Sequence, residues 1–400
     1  MLPRFLRRTH PLEKHFFLIP SISLRAIGFY PGADYRPSVA LRLWAAFNFT
    51  VLLMGSLAEL WYGIQYLRID ALEALDALCP VATSIMATIK ISIVWWYRRE
   101  FAQLMSRLRE LLAEQTSPPG KIDIKRRRYT LATCLTSLTL LLVTTTATAY
   151  AVRPLIMNAL HLFFGSDGGK TFEYSKPFKM TLPDWLLSMP IYPITYIVIA
   201  WHGYVTTMAV TGLDSIFLHF CMYFGVLLRC LQEDLKLILN ENVVKLCRII
   251  NRQNELYEMT KEFSRISVVI TLAHFVTSSM IICMSVIDMM LNSGFNAILY
   301  VFHSFAVSSE VCLYCFGGHE VMESVRIFIR NYCQLFSSPF HPSFHLQSEA
   351  VSCTVYESHW YVFDLKLQKM LLLLIQRSQR PFLIRVPFFA PSIPVLASVG

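Results

Sequence analysis

The hydrophobic positions of this chain are gathered into six long apolar runs with few charged residues inside them. A helix that crosses a bilayer needs about 20 mostly apolar residues, because it rises about 1.5 Å per residue through roughly 30 Å of hydrocarbon. Each run reaches that length, so the pattern predicts six transmembrane helices. Their approximate bounds are Val39 to Ile64, Leu72 to Trp96, Tyr129 to Val152, Met189 to Leu213, Ile266 to Leu291 and Phe295 to Phe316.

A seventh apolar stretch lies between Met370 and Gly400, where charges and prolines interrupt it. Proline removes a backbone donor and kinks a helix interior, so this stretch does not predict an intact span. The residues from Pro391 onward make roughly 15 Å of helix, against about 30 Å of hydrocarbon. We therefore expect an incomplete seventh helix. Its interruptions are Arg377, Arg380, Pro381, Arg385, Pro387, Pro391 and Pro394.

The composition agrees with a membrane protein. Hydrophobic residues make up 54% of the chain and charged residues 16%, whereas about a quarter of the residues in a soluble domain are charged. No Gly-, Ser- or Pro-rich linker divides the 400 residues. The predicted fold class is therefore an all-α integral membrane protein, with six clear transmembrane helices plus an incomplete seventh in one bundle.

The basic residues predict the orientation, since Lys and Arg are retained on the cytoplasmic side. With the amino terminus inside, the cytoplasmic loops carry 25 Lys and Arg residues and the outer loops carry 5. Residues 1–38 are thus predicted to be a cytoplasmic segment. The basic cytoplasmic loops then face anionic inner-leaflet lipid. This accounts for the net charge of +9 without a nucleic-acid partner.

An amphipathic pattern continues past the fourth span. It runs from Phe217 to Leu239, pauses at Asn240 to Asn242, and resumes from Val243 to Arg265. This predicts a cytoplasmic helical hairpin, residues 217–265, within a bundle of residues 39–322. An apolar stripe of this kind is expected to be buried against other helices. We therefore expect a helix bundle formed within the chain or between subunits.

The final quarter of the chain carries its most specific motif, residues 348–400. The motif resembles the carboxyl-terminal signature of insect odorant receptors, which are ligand-gated ion channels with seven transmembrane helices. The loops and spans described above agree with that family in their organisation. The matching positions are Ser348, Val351, Tyr356, Ser358, Trp360, Leu365, Lys366, Gln368, Lys369, Leu371 to Leu374, Gln376, Arg377, Ser378, Gln379, Pro381, Phe389, Pro391 and Ser392.

The resemblance implies a function and partners. It implies an odorant-binding tuning subunit of a non-selective cation channel, assembled as a hetero-tetramer with an odorant co-receptor. It also implies a small volatile organic ligand, the plasma membrane as location, and a sensory neuron dendrite. A cytoplasmic anchor helix before the seventh span would join the subunits. The anchor candidates are Tyr356, Trp360, Leu365, Lys369, Gln376, Arg377, Gln379 and Pro381.

One segment departs from the family pattern. Residues 325–347 intervene between the end of the sixth span and the Ser348 motif. We interpret them as an insertion, because their removal restores the family's spacing. The segment shows no helical or strand period and contains Pro339 and Pro342, so we do not expect it to extend the sixth helix.

Two ionisable residues inside the predicted spans are candidates for function. Lys90 and Glu310 lie at similar depths toward the cytoplasmic side, so one possibility is that they pair. The alternatives are a Lys90 side chain that reaches the headgroups and a Glu310 carboxylate with a structural partner. Asp288 lies near an outer helix end and needs no special role.

An odorant pocket is expected to have apolar walls with few polar groups, in the outer half of the membrane. Ordinary interhelical packing is the competing explanation for every residue that fits this description. The ligand pocket candidates are Thr83, Met86, Thr148, Tyr196, Trp201, Tyr300 and His303.

Other classes of function are less well supported. No hydrolase, nucleotide-binding or zincin motif is present, so we expect neither an enzyme nor a cofactor. Cys312 and Cys315 have helical spacing without a second ligand pair, which predicts no metal site. A G-protein-coupled receptor would need the opposite orientation, and a transporter would need interrupted helices in two halves. A gustatory-type receptor of the same superfamily is the nearest alternative.

Overall fold

A computed structural model describes residues 12, 16–32, 38–114, 119–164, 174–237, 243–291, 295–336 and 369. Over these ranges the chain is helical. The helices are α1 (Leu18–Ile27), α2 (Val39–Tyr66), α3 (Ala71–Trp96), α4 (Arg98–Glu114), α5 (Pro119–Phe164), α6 (Tyr192–Leu237), α7 (Val243–Leu291) and α8 (Phe295–Phe336), with a 3₁₀ turn at Asp184–Leu187.

Six of these helices are long and apolar enough to cross a membrane, namely α2, α3, α5, α6, α7 and α8. The predicted all-helical membrane fold with six clear spans is therefore confirmed for the described residues. Side-chain caps fix two helix starts: the Ser38 hydroxyl accepts a hydrogen bond from the Leu41 amide, and the Asp70 carboxylate accepts from Leu72 and Glu73.

The bundle is organised around α6, whose most apolar window is entirely buried. Helices α8, α5, α1 and α3 pack around it. Helix α1 lies across α6 and ends at Gly28, which has φ 86°. A side chain at Gly28 would approach Ala45 Cβ to 2.9 Å, so both the left-handed backbone and the close contact with α2 favour glycine there.

Four helices, α5, α6, α7 and α8, are much longer than the hydrocarbon core of a bilayer is thick. Helix α7 has 49 residues, which is about 70 Å of helix against roughly 30 Å of hydrocarbon. The predicted return helix and the fifth span are thus one continuous helix. The α6 stripe that includes Leu227, Leu228 and Leu231 is buried in the main hydrophobic core together with residues of α4, α5 and α7. Where its side chains are described, the hairpin's apolar face is therefore covered within the chain.

The expectation that residues 325–347 do not extend the sixth span is wrong for their first part. Helix α8 continues without a break to Phe336. Residues 325–336 contain neither proline nor glycine, so nothing interrupts their backbone hydrogen bonding. The rest of that segment and the anchor candidates lie outside the described residues, except Lys369, which is helical and exposed.

One carboxylate, that of Glu320, joins three helices. Glu320 of α8 accepts hydrogen bonds from Arg128 of α5 at 2.5 Å and from Arg229 of α6 at 2.8 Å. Its side chain is only 7% exposed, whereas the arginines are about a fifth exposed. Loss of the carboxylate would leave two partly buried cations facing each other.

We expect Glu320→Ala to lower the free energy of unfolding by about 2 kcal/mol, since charge-assisted hydrogen bonds are worth roughly 1.5–3 kcal/mol. Thermal unfolding of the purified protein measures this. The matched control is Glu258→Ala, which removes a surface pair with Lys261 and should leave the melting temperature unchanged. Equal melting temperatures for Glu320→Ala and the control would contradict the structural role of Glu320.

Candidate functional site

A small cavity lies in the interior of the bundle, between α3, α5, α6 and α8, with Glu59 of α2 at its edge. Its free volume is about 60 Å³. One water molecule requires about 10–15 Å³ on the same measure, so a ligand larger than about four waters needs side chains to move. The wall is formed by Glu59, Pro80, Thr83, Ser84, Val143, Thr146, Ala147, Tyr150, Phe178, His202, Gly203, Thr206, Thr207, His303, Ala306, Val307 and Glu310.

Three of the four threonine hydroxyls of the wall are engaged within their own helices. Thr206 donates to the His202 carbonyl at 3.0 Å, and Thr207 donates to the Gly203 carbonyl at 2.9 Å. Thr146 donates in the same way along α5. These bonds satisfy buried polar groups and use the hydroxyl hydrogens. These three threonines therefore offer a ligand mainly methyl surface and oxygen lone pairs.

Two of the pocket candidates meet at the cavity, Thr83 of α3 and His303 of α8. The Thr83 hydroxyl lies 3.5 Å from His303 Nε2, and the Tyr150 hydroxyl lies 3.3 Å from His303 Nδ1. Cys79 Sγ is 3.5 Å from the same Nδ1. His303 thus joins α3 and α5 to α8 through both ring nitrogens and fixes one side of the cavity.

The other five candidates lie outside the cavity wall. Met86 is buried in the bundle, and the remaining four form hydrogen bonds to other residues. These five residues therefore do not line this cavity, and their role as ligand contacts stays a prediction. Their bonds join Thr148 to the Tyr204 hydroxyl (2.9 Å), the Tyr196 hydroxyl to the Ala151 carbonyl (2.5 Å), the Trp201 indole to Asn48 (2.9 Å) and the Tyr300 hydroxyl to Asp76 (2.6 Å).

Sequence reasoning did not single out an acid and an imidazole that face each other in the wall, Glu59 and His202. Glu59 accepts a hydrogen bond from the Ser84 hydroxyl at 3.1 Å, and its other oxygen lies 3.5 Å from His202 Nε2. Glu59 is 1% exposed. A side chain at Gly55 would overlap the His202 ring, so that glycine makes the contact of α2 with α6 possible. The sequence does carry one signal for this contact, because Glu59 is an acidic residue inside the first apolar run.

Beside the cavity lies a buried ionic cluster around Lys90. Lys90 Nζ is 2.5 Å from Asp214 Oδ1 and 3.2 Å from His274 Nδ1, and the Tyr314 hydroxyl donates to the same Asp214 oxygen at 2.7 Å. Lys90 is completely buried, so it does not reach the headgroups. Its direct partner is Asp214 and not Glu310. Asp214 was missed because it follows the end of the predicted fourth span, whereas α6 continues through it.

The Asp214, His274 and Glu310 side chains have ligand atoms within 4.8 Å of one another, a spacing that a metal ion could bridge. The Lys90 ammonium, however, lies within hydrogen-bond distance of two of these three groups. A second cation at that place would be repelled by Lys90, since like charges at such distances in a buried site interact strongly. The Lys90 ammonium therefore occupies the position that a metal ion would need.

A larger cavity of about 490 Å³, the vestibule, lies next to the first one. It is formed by the start of α3, the end of α5 and residues 175–179 of the α5–α6 connection, and it shares Pro80, Tyr150 and Phe178 with the inner cavity. Its polar groups are paired: Arg153 binds Asp76 through two nitrogens, at 3.1–3.2 Å. Burial, and then the neighbouring Lys179, lower the pKa of Lys176 below its ordinary value.

The wall between the two cavities is an aromatic pair. The Phe178 ring stacks on Tyr150 with centroids 5.4 Å apart and meets the His202 ring edge-on at 6.3 Å. A Cβ at Gly203 would lie 2.6 Å from the Phe178 ring, so glycine gives this phenylalanine its space on α6. The Phe178 side chain of the α5–α6 connection thus lies between the two cavities, together with Tyr150 of α5.

The described helices form a bundle with a small, mostly apolar cavity between four of them. The sequence model of the 7tm odorant receptor family matches residues 70–329 and 343–400. The chain therefore belongs to the insect odorant receptor family. The match to an odorant receptor model favours this class over the gustatory-type alternative.

Individual relatives agree with this assignment. The chain is 43% identical to odorant receptor 24a of Drosophila melanogaster, over 100% of this chain and 96% of the relative. It is 31% identical to odorant receptor 10a of the same species, over 99% of this chain and 95% of the relative. The fold is similar to the solved structure of the insect olfactory receptor OR5 from Machilis hrabei, with a TM-score of 0.77 and 15% identity, covering 97% of this chain and 95% of that one. The same receptor has been solved in complex with eugenol, and that structure gives a TM-score of 0.75.

Proposed function

We propose that this receptor is the odorant-binding tuning subunit of a heteromeric, ligand-gated, non-selective cation channel. The observation that carries the proposal is the cavity between α3, α5, α6 and α8, in a chain that belongs to the odorant receptor family. Apolar walls with a few placed polar groups suit a small volatile organic molecule. The structurally similar olfactory receptor from Machilis hrabei was solved in complex with eugenol, which supports a small organic ligand here.

The partner is an odorant co-receptor subunit, joined through the cytoplasmic anchor from Tyr356 to Pro381. Support for this comes from the resemblance of residues 348–400 to the family's anchor motif. The channel resides in the plasma membrane of a sensory neuron dendrite, with the amino terminus in the cytoplasm. The excess of Lys and Arg in the cytoplasmic loops supports that orientation.

Expression with and without the co-receptor tests the tuning-subunit assignment. The chain alone is expected to give no odour-gated current, and the two subunits together are expected to give a cation current during exposure to an active volatile. Trp360→Ala should reduce co-purification of the two subunits. A robust odour-gated current from this chain alone would overturn the assignment.

Epitope tags test the orientation independently. Tags at residue 2 and within residues 240–255 should require permeabilised cells for detection, whereas a tag beside Asp167 should not. Labelling of the first tag on intact cells would show that the amino terminus is outside.

The Phe178 side chain should control how fast a ligand reaches and leaves the inner cavity. Phe178→Ala removes the ring that separates the two cavities, so we expect odour-evoked current to rise and decay several-fold faster than in the wild type. Rapid perfusion of cells that express both subunits measures this. Trp185→Ala is the matched control, because Trp185 is an exposed aromatic residue of the same connection. Unchanged kinetics in Phe178→Ala would mean that ligands enter by another path.

A further inference from the structure

Glu310 stands where the cavity and the Lys90 cluster meet. It lines the cavity, it is 4% exposed, and its carboxyl lies within 4.8 Å of ligand atoms of Asp214 and His274. Among the described residues no hydrogen bond reaches the Glu310 carboxyl. The state of this group therefore decides what a ligand meets at that end of the cavity.

The charges around Glu310 do not balance if it is ionised. The Lys90 ammonium lies 2.5 Å from Asp214 and neutralises that carboxylate. The Tyr314 hydroxyl donates a hydrogen bond to the same carboxylate. A second carboxylate would leave a net negative charge in a buried site. An unpaired buried charge is so costly that the group takes a proton instead, as one member of two close carboxyls commonly does.

In the described part of the chain, no other neighbour of Glu310 supplies the missing positive charge. His274 of α7 lies 3.2 Å from the Lys90 ammonium, so a protonated imidazole there would face a like charge. The other titratable groups on the cavity are Glu59, Tyr150, His202 and His303, and no Lys or Arg lines it. Glu59 faces His202, whose Nε2 lies 3.5 Å from one Glu59 oxygen. His303 is bound through both ring nitrogens to uncharged groups.

We propose that Glu310 is a neutral carboxylic acid, and that it donates a hydrogen bond to an oxygen acceptor on the ligand. The part about the ligand rests on the proposed odorant-binding function. Thr146, Thr206 and Thr207 use their hydroxyl hydrogens within their helices. The Thr83 and Tyr150 hydroxyls lie within hydrogen-bond distance of His303. The Glu310 O–H is therefore the donor that this end of the cavity offers. The ligand class is then ketones, aldehydes and esters. A carboxylate ligand would bring an uncompensated charge into the site, and an ammonium ligand would need Glu310 ionised.

Infrared difference spectroscopy of the full chain in lipid nanodiscs tests the state of Glu310 without any odorant. The carbonyl stretch of a protonated carboxylic acid is separate from that of a carboxylate. At neutral pH we expect Glu310→Gln to remove such a band, while Glu258→Gln, at an exposed acid, leaves the spectrum of protonated acids unchanged. Loss of the band in Asp214→Asn and not in Glu310→Gln would overturn the assignment, and so would the absence of a band.

The ligand class is tested by current recordings from cells that express both subunits. The probes share one ring: cyclohexanone, cyclohexanecarboxylic acid methyl ester, cyclohexylamine, cyclohexanecarboxylic acid and cyclohexane. Activation should be strongest for the ketone and the ester. Glu310→Gln retains a donor and should preserve the response, whereas Glu310→Leu should raise the half-maximal concentration of the ketone roughly tenfold.

A response dominated by the amine or the acid, or an unchanged ketone response in Glu310→Leu, would overturn the proposed ligand class. If none of the probes nor any volatile evokes current, the odorant-gated function itself fails. The infrared measurement then still decides the state of Glu310, so the two failures are distinguishable.

Discussion

Lys90→Met is expected to be among the most destabilising single substitutions in the described part of the chain. It removes the cation from a completely buried ion pair and leaves Asp214 without a positive partner. Loss of one member of a buried pair typically costs about 3–5 kcal/mol, because the remaining charge has no compensation. We expect little folded protein at the cell surface and a clearly lower melting temperature after purification.

A double variant separates the charge effect from a simple loss of packing. Lys90→Met combined with Asp214→Asn removes both charges and should recover much of the lost stability, since an uncharged buried pair has no such imbalance. Lys261→Met is the matched control, because Lys261 is 70% exposed and lies 3.8 Å from an exposed acid. A Lys90→Met protein as stable as this control would contradict the account of the cluster.

Ala147→Phe should abolish most of the response to volatile ligands while the protein still reaches the surface. Ala147 lies in the cavity wall on α5, and a phenyl ring there would fill a space of about 60 Å³. We expect the half-maximal ligand concentration to rise by more than roughly tenfold, since loss of even about 1.4 kcal/mol of binding is a factor of ten. Dose–response curves from cells that express both subunits measure this.

The control for this prediction lies two positions away on the same helix. Thr145 is exposed on the outer face of α5, so Thr145→Phe adds the same ring without entering the cavity. It should give a wild-type response. Overpacking a buried site costs about 1–3 kcal/mol, so surface labelling must show that Ala147→Phe is folded. Normal sensitivity in a folded Ala147→Phe protein would place the ligand elsewhere.

The spans were predictable from the sequence because hydrophobic length is a local property. The continuation of α6 past Leu213 was also predictable, because its amphipathic pattern runs on to Leu239 and the helix ends at Leu237. The end of α8 at Phe336 was not, because residues 325–336 carry no helical period, although no proline or glycine interrupts them. Packing against α4, α5 and α7 stabilises the α6 extension as far as Leu231, and hydropathy does not report such packing.

The site was predictable only in part, because it depends on which helices meet. Thr83 and His303 were found from their depth and residue type, and they lie together although 220 positions separate them. The partner of Lys90 is 124 positions away on another helix, and no periodicity in the sequence indicates that contact. The acid Glu59 carried its own signal, an ionisable group in an apolar run, but its partner His202 is set by the Gly55 contact of α2 with α6.

A structure of the channel, formed with its co-receptor and bound to an activating volatile, would show where the ligand binds. We expect ligand density in this subunit between α3, α5, α6 and α8, in contact with Thr83, Ala147 and Val307 and within hydrogen-bond distance of Glu310. Ligand density confined to the vestibule, to a subunit interface or to the co-receptor, with the inner cavity unchanged, would contradict it.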